Sequence, residues 1–180
     1  GLYALNSYEN KLPFEYANAE GLSKDNPEFN HSYYQGLVVE IGNLQGKLTH
    51  VPPQDQNKLF LEKPLKDIVT ISKIFEFGYE NTVSTARTVD VAWFNARQMP
   101  DTFIEVEHTT GIINSLVKFV ELQDYASDFW IVAPDVRQKE FQDKSTRAAF
   151  GDLANRGSFI SYDKISRLTA PTGSLFPSFS

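Results

Sequence analysis

Three acids on two apolar stretches carry the chemistry of this chain. In Phe103-Ile104-Glu105-Val106-Glu107-His108-Thr109-Thr110, two carboxylates alternate with apolar residues ahead of two threonines. Upstream, Thr88-Val89-Asp90-Val91-Ala92-Trp93-Phe94 holds a third acid in similar company. Period-two alternation is the mark of a β-strand. On the second strand Ile104 and Val106 point one way, and Phe103, Glu105 and Glu107 the other. On the first, Val89, Val91 and Trp93 oppose Asp90, Ala92 and Phe94. The stretch from Asn95 to Asp101 is turn-friendly, which predicts an antiparallel hairpin. A midpoint near Gln98 sets Asp90 opposite Glu105, Val106 or Glu107 and gathers three carboxylates on one face. Like charges that close raise one another's pKa, and a divalent cation with oxygen ligands relieves the penalty.

Such a cluster suits phosphodiester hydrolysis. The phosphate is anionic, the nucleophile is water, and the leaving oxygen gains charge. One or two Mg²⁺ ions, with Mn²⁺ as substitute, can lower the pKa of the water, polarise the phosphate and hold the geometry. Asp90 and Glu105 would be the ligands, with the Val106 backbone carbonyl between the glutamates as a third. Glu107 could orient the water, act as general base or help hold a second metal. His108 reads as a supporting or capping group, because Mg²⁺ prefers oxygen; a phosphate contact is also open to it. Arg87, just before the first strand, is a local candidate for a phosphate contact. Arg137, Lys139, Lys144 and Arg147 are interspersed with Asp135, Glu140 and Asp143, so that stretch reads as a solvated face. Lys139 and Arg147 could still reach a phosphate from it. Trp93 and Trp130 read as core. On composition alone, acids on one strand face are more often a solvated edge.

Placing these strands requires elements on both sides. Asn30 is positioned to cap a helix over His31 to Asn43. Tyr34, Leu37, Val38 and Ile41 form its buried stripe, and Gly42 and Gly46 end it. Leu48 to Val51 predicts a short strand stopped by Pro52-Pro53. Asp55, Gln56 and Asn57 read as a loop, Leu65 to Ser72 as a helix after Pro64, and Phe75 to Ser84 as a strand or extended loop. Thr109 or Thr110 is expected to cap a helix running to Gln123. Phe129 to Ala133 is continuously apolar, the pattern of a strand covered on both faces. Pro134-Asp135 opens a helix to Leu153, Ser158 to Ser161 is a last strand, and Tyr162 to Leu168 a closing helix. A helical crossover then joins the Phe129 strand to the hairpin, giving a mixed sheet with helices on both sides. Residues 1–29 read as an arm or linker with a short helix near Glu15–Ala19, and 169–180 as a tail.

The 180 residues, 41% hydrophobic and 22% charged, fit one globular domain. No cysteine is present, which excludes disulfides and thiolate zinc sites. Nothing approaches the roughly 18 apolar residues of a membrane span, and no signal peptide opens the chain. The expectation is a cytoplasmic protein with no membrane partner. A start at Gly-Leu-Tyr points to a trimmed chain or a piece of a longer one. The net charge of −6 runs against the basic footprint of a nucleic-acid binder. It suits a catalytic domain that relies on another domain or subunit for its grip. No GxSxG elbow, Gly-rich phosphate loop or HExxH pattern is present.

An Asp at the start of one strand, then an acid-X-acid tripeptide on the next, resembles the PD-(D/E)XK nuclease superfamily. The element order from about His31 to Ser161 matches it as well. The string from Phe103 to Thr110, with Val89-Asp90-Val91-Ala92-Trp93 before it, is also similar to a restriction-endonuclease-like bacterial group with a Glu-Val-Glu-His-Thr-Thr signature. The resemblance implies an α/β domain over 30–168 with a restriction-endonuclease-like core, a central mixed β-sheet flanked by helices in αβββαβ order. It carries Asp90 and Glu105 over as metal ligands. It implies a Mg²⁺-dependent DNA endonuclease of a type II-like restriction or other bacterial defence system. The expected partners are DNA, a separate recognition domain or subunit, and a second copy in a homodimer. Two departures stand out. Val89 precedes Asp90 where the family has Pro, and Glu107 replaces the family's catalytic Lys, as in a minority of restriction endonucleases. Lys118, in the following helix, is the candidate for the missing charge. A first-helix acid sometimes reaches the metal in this superfamily; Glu40 is that candidate and Gln35 a weaker one, with a solvated Glu40 the simpler reading. The alternative function is a catalytically degenerate nuclease-fold module for nucleic-acid binding or assembly. A third is a structural interaction domain with solvated acids.

Overall fold

The computed structural model describes residues 27–169. The expected short helix near Glu15–Ala19, most of the arm and most of the tail lie outside them. Helix α1 (Pro27–Leu44) opens the described chain. Proline suits a first turn, where its missing N–H has no partner to lose. Asn30 therefore lies inside the helix rather than capping it. Tyr34, Leu37, Val38 and Ile41 are all buried, as the stripe required. The helix passes through Gly42 and ends where Gly46 adopts φ +70°, with Lys47 N–H donating back to the Gly42 carbonyl at 2.9 Å.

Strand β1 (Leu48–His50) is followed by a small ribbon, β2 (Leu59–Phe60) with β3 (Lys63–Pro64). The helix expected after Pro64 is only a 3₁₀ turn, Leu65–Asp67. Its backbone is spent elsewhere: Thr70 and Ile71 N–H both donate to the Thr49 carbonyl, and the Asn43 side chain takes the Ile68 carbonyl. The stretch expected as strand or loop over Phe75 to Ser84 instead runs into helix α2 (Glu80–Ala86).

The hairpin is β4 (Val91–Phe94) with β5 (Pro100–Val106). They are antiparallel, with Val91 opposite Ile104, and Gln98 turns between them at φ +64°. Helix α3 (Ile112–Leu122) crosses to β6 (Asp128–Ala133). The expected cap by Thr109 or Thr110 does not form; Gly111 holds the N-cap position without a side-chain bond. The single helix expected over Pro134 to Leu153 is broken into a 3₁₀ turn (Asp135–Arg137), α4 (Gln138–Ser145) and a second 3₁₀ turn (Ala148–Leu153). Phe141 and Phe150 explain the break. Nine residues apart, they would lie roughly 180° apart on one helix, yet both are buried in the same cluster. Strand β7 (Gly157–Ser161) and helix α5 (Tyr162–Thr169) complete the domain.

The sheet order is β1-β4-β5-β6-β7, antiparallel across the first two pairs and parallel across the last two. This is the mixed α/β sheet expected, consistent with a restriction-endonuclease-like core. One face packs Val91, Trp93, Ile104 and Val106 against α1 and α5. The other packs Ala92, Phe94, Phe103 and Phe129 against α2, α3 and Phe141 of α4. Val89 joins the second cluster, against the alternation, because the strand begins only at Val91. Trp93 is buried and meets Trp130 edge to face at 5.0 Å. No helix among the described residues is long and apolar enough to cross a membrane.

Candidate active site

The antiparallel register brings the start of β4 to the end of β5, and the parallel pairs bring the ends of β6 and β7 to the same edge. Ligands of open α/β sheets bind at such carboxyl ends. Asp90, Glu107, Arg137 and Tyr162 therefore share one end of the sheet, with the start of α1 beside them.

Asp90 stands one residue ahead of β4, opposite Glu105. Its backbone N–H donates to Glu105 Oε1 at 3.3 Å. Its carboxylate Oδ2 accepts from Val106 N–H at 2.8 Å and lies 3.1 Å from His31 Nε2. An ionised carboxylate only accepts, so the His31 Nε2–H is the donor. Burial pulls His31 down, but Asp90 more than reverses it, leaving the imidazole above its ordinary pKa. Because Val106 N–H points to Asp90, its carbonyl is directed to that same side of the strand.

Glu105 is 3% exposed. Lys118 Nζ donates to both its oxygens at 2.9 Å and also to the Thr88 carbonyl at 3.2 Å. Burial drives the Glu105 carboxyl well above the usual carboxylate range; Asp90 and Glu107 add to this and Lys118 offsets only part. Ser115 links the glutamates, with its hydroxyl 3.2 Å from Glu105 Oε2 and within hydrogen-bond reach of Glu107 Oε1. A serine has one proton to give. The hydroxyl therefore serves one glutamate at a time and couples the two carboxyl groups. Glu107, also buried, accepts from the Thr110 hydroxyl as well.

Asp90 and Glu105 are thus side by side, and Glu107 is tied to Glu105 through Ser115. Ser115 and Thr110 donate to the Glu107 carboxylate, and among the described residues no three His, Asp or Glu side chains are grouped so as to hold a metal ion. The donors that fit a hard cation are two carboxylates and the Val106 carbonyl, a set that Mg²⁺ completes with waters and substrate oxygens. Gln35 is fully buried with its Nε2 on the Asp90 backbone carbonyl, and its Oε1 has no hydrogen-bond partner among the described residues.

The accessory residues separate. Lys118 is at the site. His108 is half-buried, stacked parallel to Tyr162 at 6.0 Å, and supports the sheet end rather than joining the carboxylates. Glu40 lies nine residues beyond His31, on roughly the opposite side of α1. Its carboxyl is raised by burial and feels Lys63 of β3, so it does not join Asp90. Arg87 pairs with Glu80 at 2.7 Å. Lys139 and Arg147 are exposed. Arg137 is not a solvated cation. It donates to the Glu107 carbonyl at 3.2 Å and the Thr110 carbonyl at 2.6 Å, fixing the loop after the motif strand.

Sequence reading missed His31, Ser115 and the role of Arg137, and gave Gln35 too little weight. Two signals were available. His31 and Gln35 are four apart, hence on one helix face. Ser115 interrupts the otherwise apolar stripe of Ile112, Leu116 and Phe119.

Comparison with known proteins gives a consistent picture. A family model described as the type II restriction enzyme NmeDI C-terminal domain matches residues 11–174. The type II restriction enzyme NmeDI of Neisseria meningitidis serogroup C is 30% identical over 124 residues, which cover 63% of this chain and 35% of that protein. The chain thus spans about a third of the length of the curated relative it matches. No solved structure matches it.

Proposed function

The chain belongs to the type II restriction enzyme NmeDI C-terminal domain family, and from that premise we propose that it is a Mg²⁺-dependent DNA endonuclease domain of the PD-(D/E)XK kind, with Glu-Val-Glu in place of the usual motif. The observation that carries this reading is the juxtaposition of Asp90 and a nearly fully buried Glu105 at the carboxyl ends of the strands. An acid so placed is held above its normal pKa, and a hard divalent cation is the ligand that would make its ionised form favourable.

In this reading Asp90, Glu105 and the Val106 carbonyl hold the metal. Bound Mg²⁺ would supply a Lewis acid that lowers the pKa of the attacking water and neutralises the phosphate. His31 and the Val106 N–H fix Asp90. Glu107, on the face of Glu105, takes the proton of the water, and Arg137 holds the backbone on which Glu107 stands. Lys118, held on Glu105, offsets part of its charge at the edge of the site. Remaining parts of a longer protein, or a second copy, would supply sequence recognition and the cut in the other strand. The test is a plasmid-cleavage assay with and without Mg²⁺. Asp90→Ala and Glu105→Ala are expected to abolish cutting while the fold persists by circular dichroism. Undiminished Mg²⁺-dependent nicking by either variant sinks the assignment.

One observation favours a second reading, a degenerate module that binds nucleic acid without cutting it. Lys118 already takes both Glu105 oxygens and partly compensates the carboxylate without a metal. Titration with Mn²⁺ separates the two: binding that is lost in Glu105→Ala supports the nuclease, and absence of binding supports the module.

A further inference from the structure

A second polar group lies on the α1 side of Asp90, beyond the proposed metal ligands. Gln35 Nε2 donates to the Asp90 carbonyl at 2.7 Å and to Asp55 Oδ2 at 3.0 Å. Asp55 is 4% exposed and receives the Lys58 ammonium on its other oxygen at 2.9 Å. The charges of Asp55 and Lys58 both reach His31, which itself touches Asp90. The Lys58 ammonium is therefore one carboxylate and one amide removed from Asp90.

Backbone bonds close the turn that carries this pair, from Lys58 N–H to the Asp55 carbonyl and from Leu65 N–H to the Lys58 carbonyl, each 2.9 Å. The buried Asp55 carboxylate ties that turn to Gln35 of α1, and a buried carboxylate is costly unless it is paired. What Asp55 adds is a fixed position for an ammonium at the edge of the site. An ammonium has three donors; Asp55 engages it, and the Lys58 side chain remains 30% exposed. Lys118 donates to both Glu105 oxygens and to the Thr88 carbonyl, Arg137 donates to two carbonyls and Glu140, and Arg87 pairs with Glu80; the Lys58 ammonium is held by one carboxylate, Asp55, with donors to spare. We propose that Lys58, anchored by Asp55, is the cation that contacts the substrate phosphate beside Asp90, with Asp55 as its positioning residue. This rests on the nuclease reading. It supplies, from the loop after β1, the positive charge lost where Glu107 replaces a lysine.

The test measures duplex DNA binding by the full chain against salt concentration, with Ca²⁺ in place of Mg²⁺ to hold DNA uncut, alongside Mg²⁺-driven cleavage. Removing one phosphate contact lowers the slope of log affinity against log salt by about 0.9. Lys58→Met is expected to lose that increment and to cut at least tenfold more slowly, and Lys58→Arg to restore the slope. Asp55→Asn is expected to slow cleavage while keeping most of the slope. Thermal melts check that each variant folds, and recovery in Lys58→Arg separates lost charge from damage to the loop. Wild type that binds and cuts, with slope and rate unchanged in Lys58→Met, overturns the Lys58 assignment alone. Wild type that neither binds nor cuts DNA overturns the nuclease reading and this one with it.

Discussion

Burial of Glu105 beside Asp90 makes its neutral form the favoured one, and this has a thermodynamic signature. A carboxyl with a raised folded pKa keeps its proton in the folded state where the unfolded chain has already released it. Stability from this group therefore falls as pH rises from the ordinary carboxylate range to the raised folded value. His31, also raised, adds to the fall: its pairing with Asp90 contributes below the unfolded histidine value and is lost as pH passes its folded one. His50, pushed down to about 4 by burial, opposes both on the acid side, so the loss is cleanest above neutrality. The expected consequence is that Glu105→Gln makes the metal-free protein more stable near pH 8, by about 1–3 kcal/mol, while it cuts no DNA. Urea unfolding of both proteins across pH checks it. A wild type as stable as the variant at high pH would mean that Lys118 fully compensates the buried charge.

At the scale of elements, the hairpin and the stripe of α1 were legible because their information is local: alternation, turn residues, and apolar spacing. The turn placement narrowed the partner of Asp90 to Glu105, Val106 or Glu107, and the pairing of Val91 with Ile104 selects Glu105. The stretch from 52 to 87 was not legible, because its backbone bonds run to Thr49 and its turn delivers Asp55 and Lys58 to residues distant in the chain. The break at Arg147 was hidden for a related reason: only tertiary packing requires Phe141 and Phe150 to face the same core. Two predictions belong here. A Cβ on Gly42 would lie 2.6 Å from the Trp93 indole nitrogen and 2.7 Å from Thr49 Cγ2. Alanine gains about 1 kcal/mol of helix propensity, but overpacking against a buried indole costs about 1–3 kcal/mol. The clash wins because Trp93 is itself packed on Trp130. Gly42→Ala is expected to lower the urea midpoint and, by moving α1 with His31 and Gln35, to slow cleavage. Arg137→Met keeps the bulk of the side chain and removes its bonds to the Glu107 and Thr110 carbonyls. It is expected to cost about 1–2 kcal/mol of stability and to cut cleavage at least tenfold. Faster amide hydrogen exchange over 107–111 is the direct check; protection equal to wild type would show that the loop holds itself.

The whole molecule carries −6, which opposes the polyanion that the nuclease reading gives it as substrate, so its charge cannot be read as simple phosphate attraction. The acids at the sheet end are the local form of this problem. Asp90, Glu105 and Glu107 face the position proposed for a phosphate, and the cations around them are paired: Lys118 with Glu105, Lys58 with Asp55. Composition alone recorded the conflict without resolving it, because a net charge has no address. The geometry localises it to one end of the sheet, where a divalent cation would reverse the local sign. DNA binding by this chain should therefore depend on the divalent cation and not only on salt. Anisotropy measurements with labelled duplex are expected to give at least tenfold tighter binding in Ca²⁺ than in EDTA at equal ionic strength. The double variant Asp90→Asn, Glu105→Gln should behave in the opposite way. With the like charges removed, it should bind more tightly than wild type in EDTA and gain little from Ca²⁺. Equal affinity of wild type with and without the cation would detach these acids from phosphate binding and return them to a structural role.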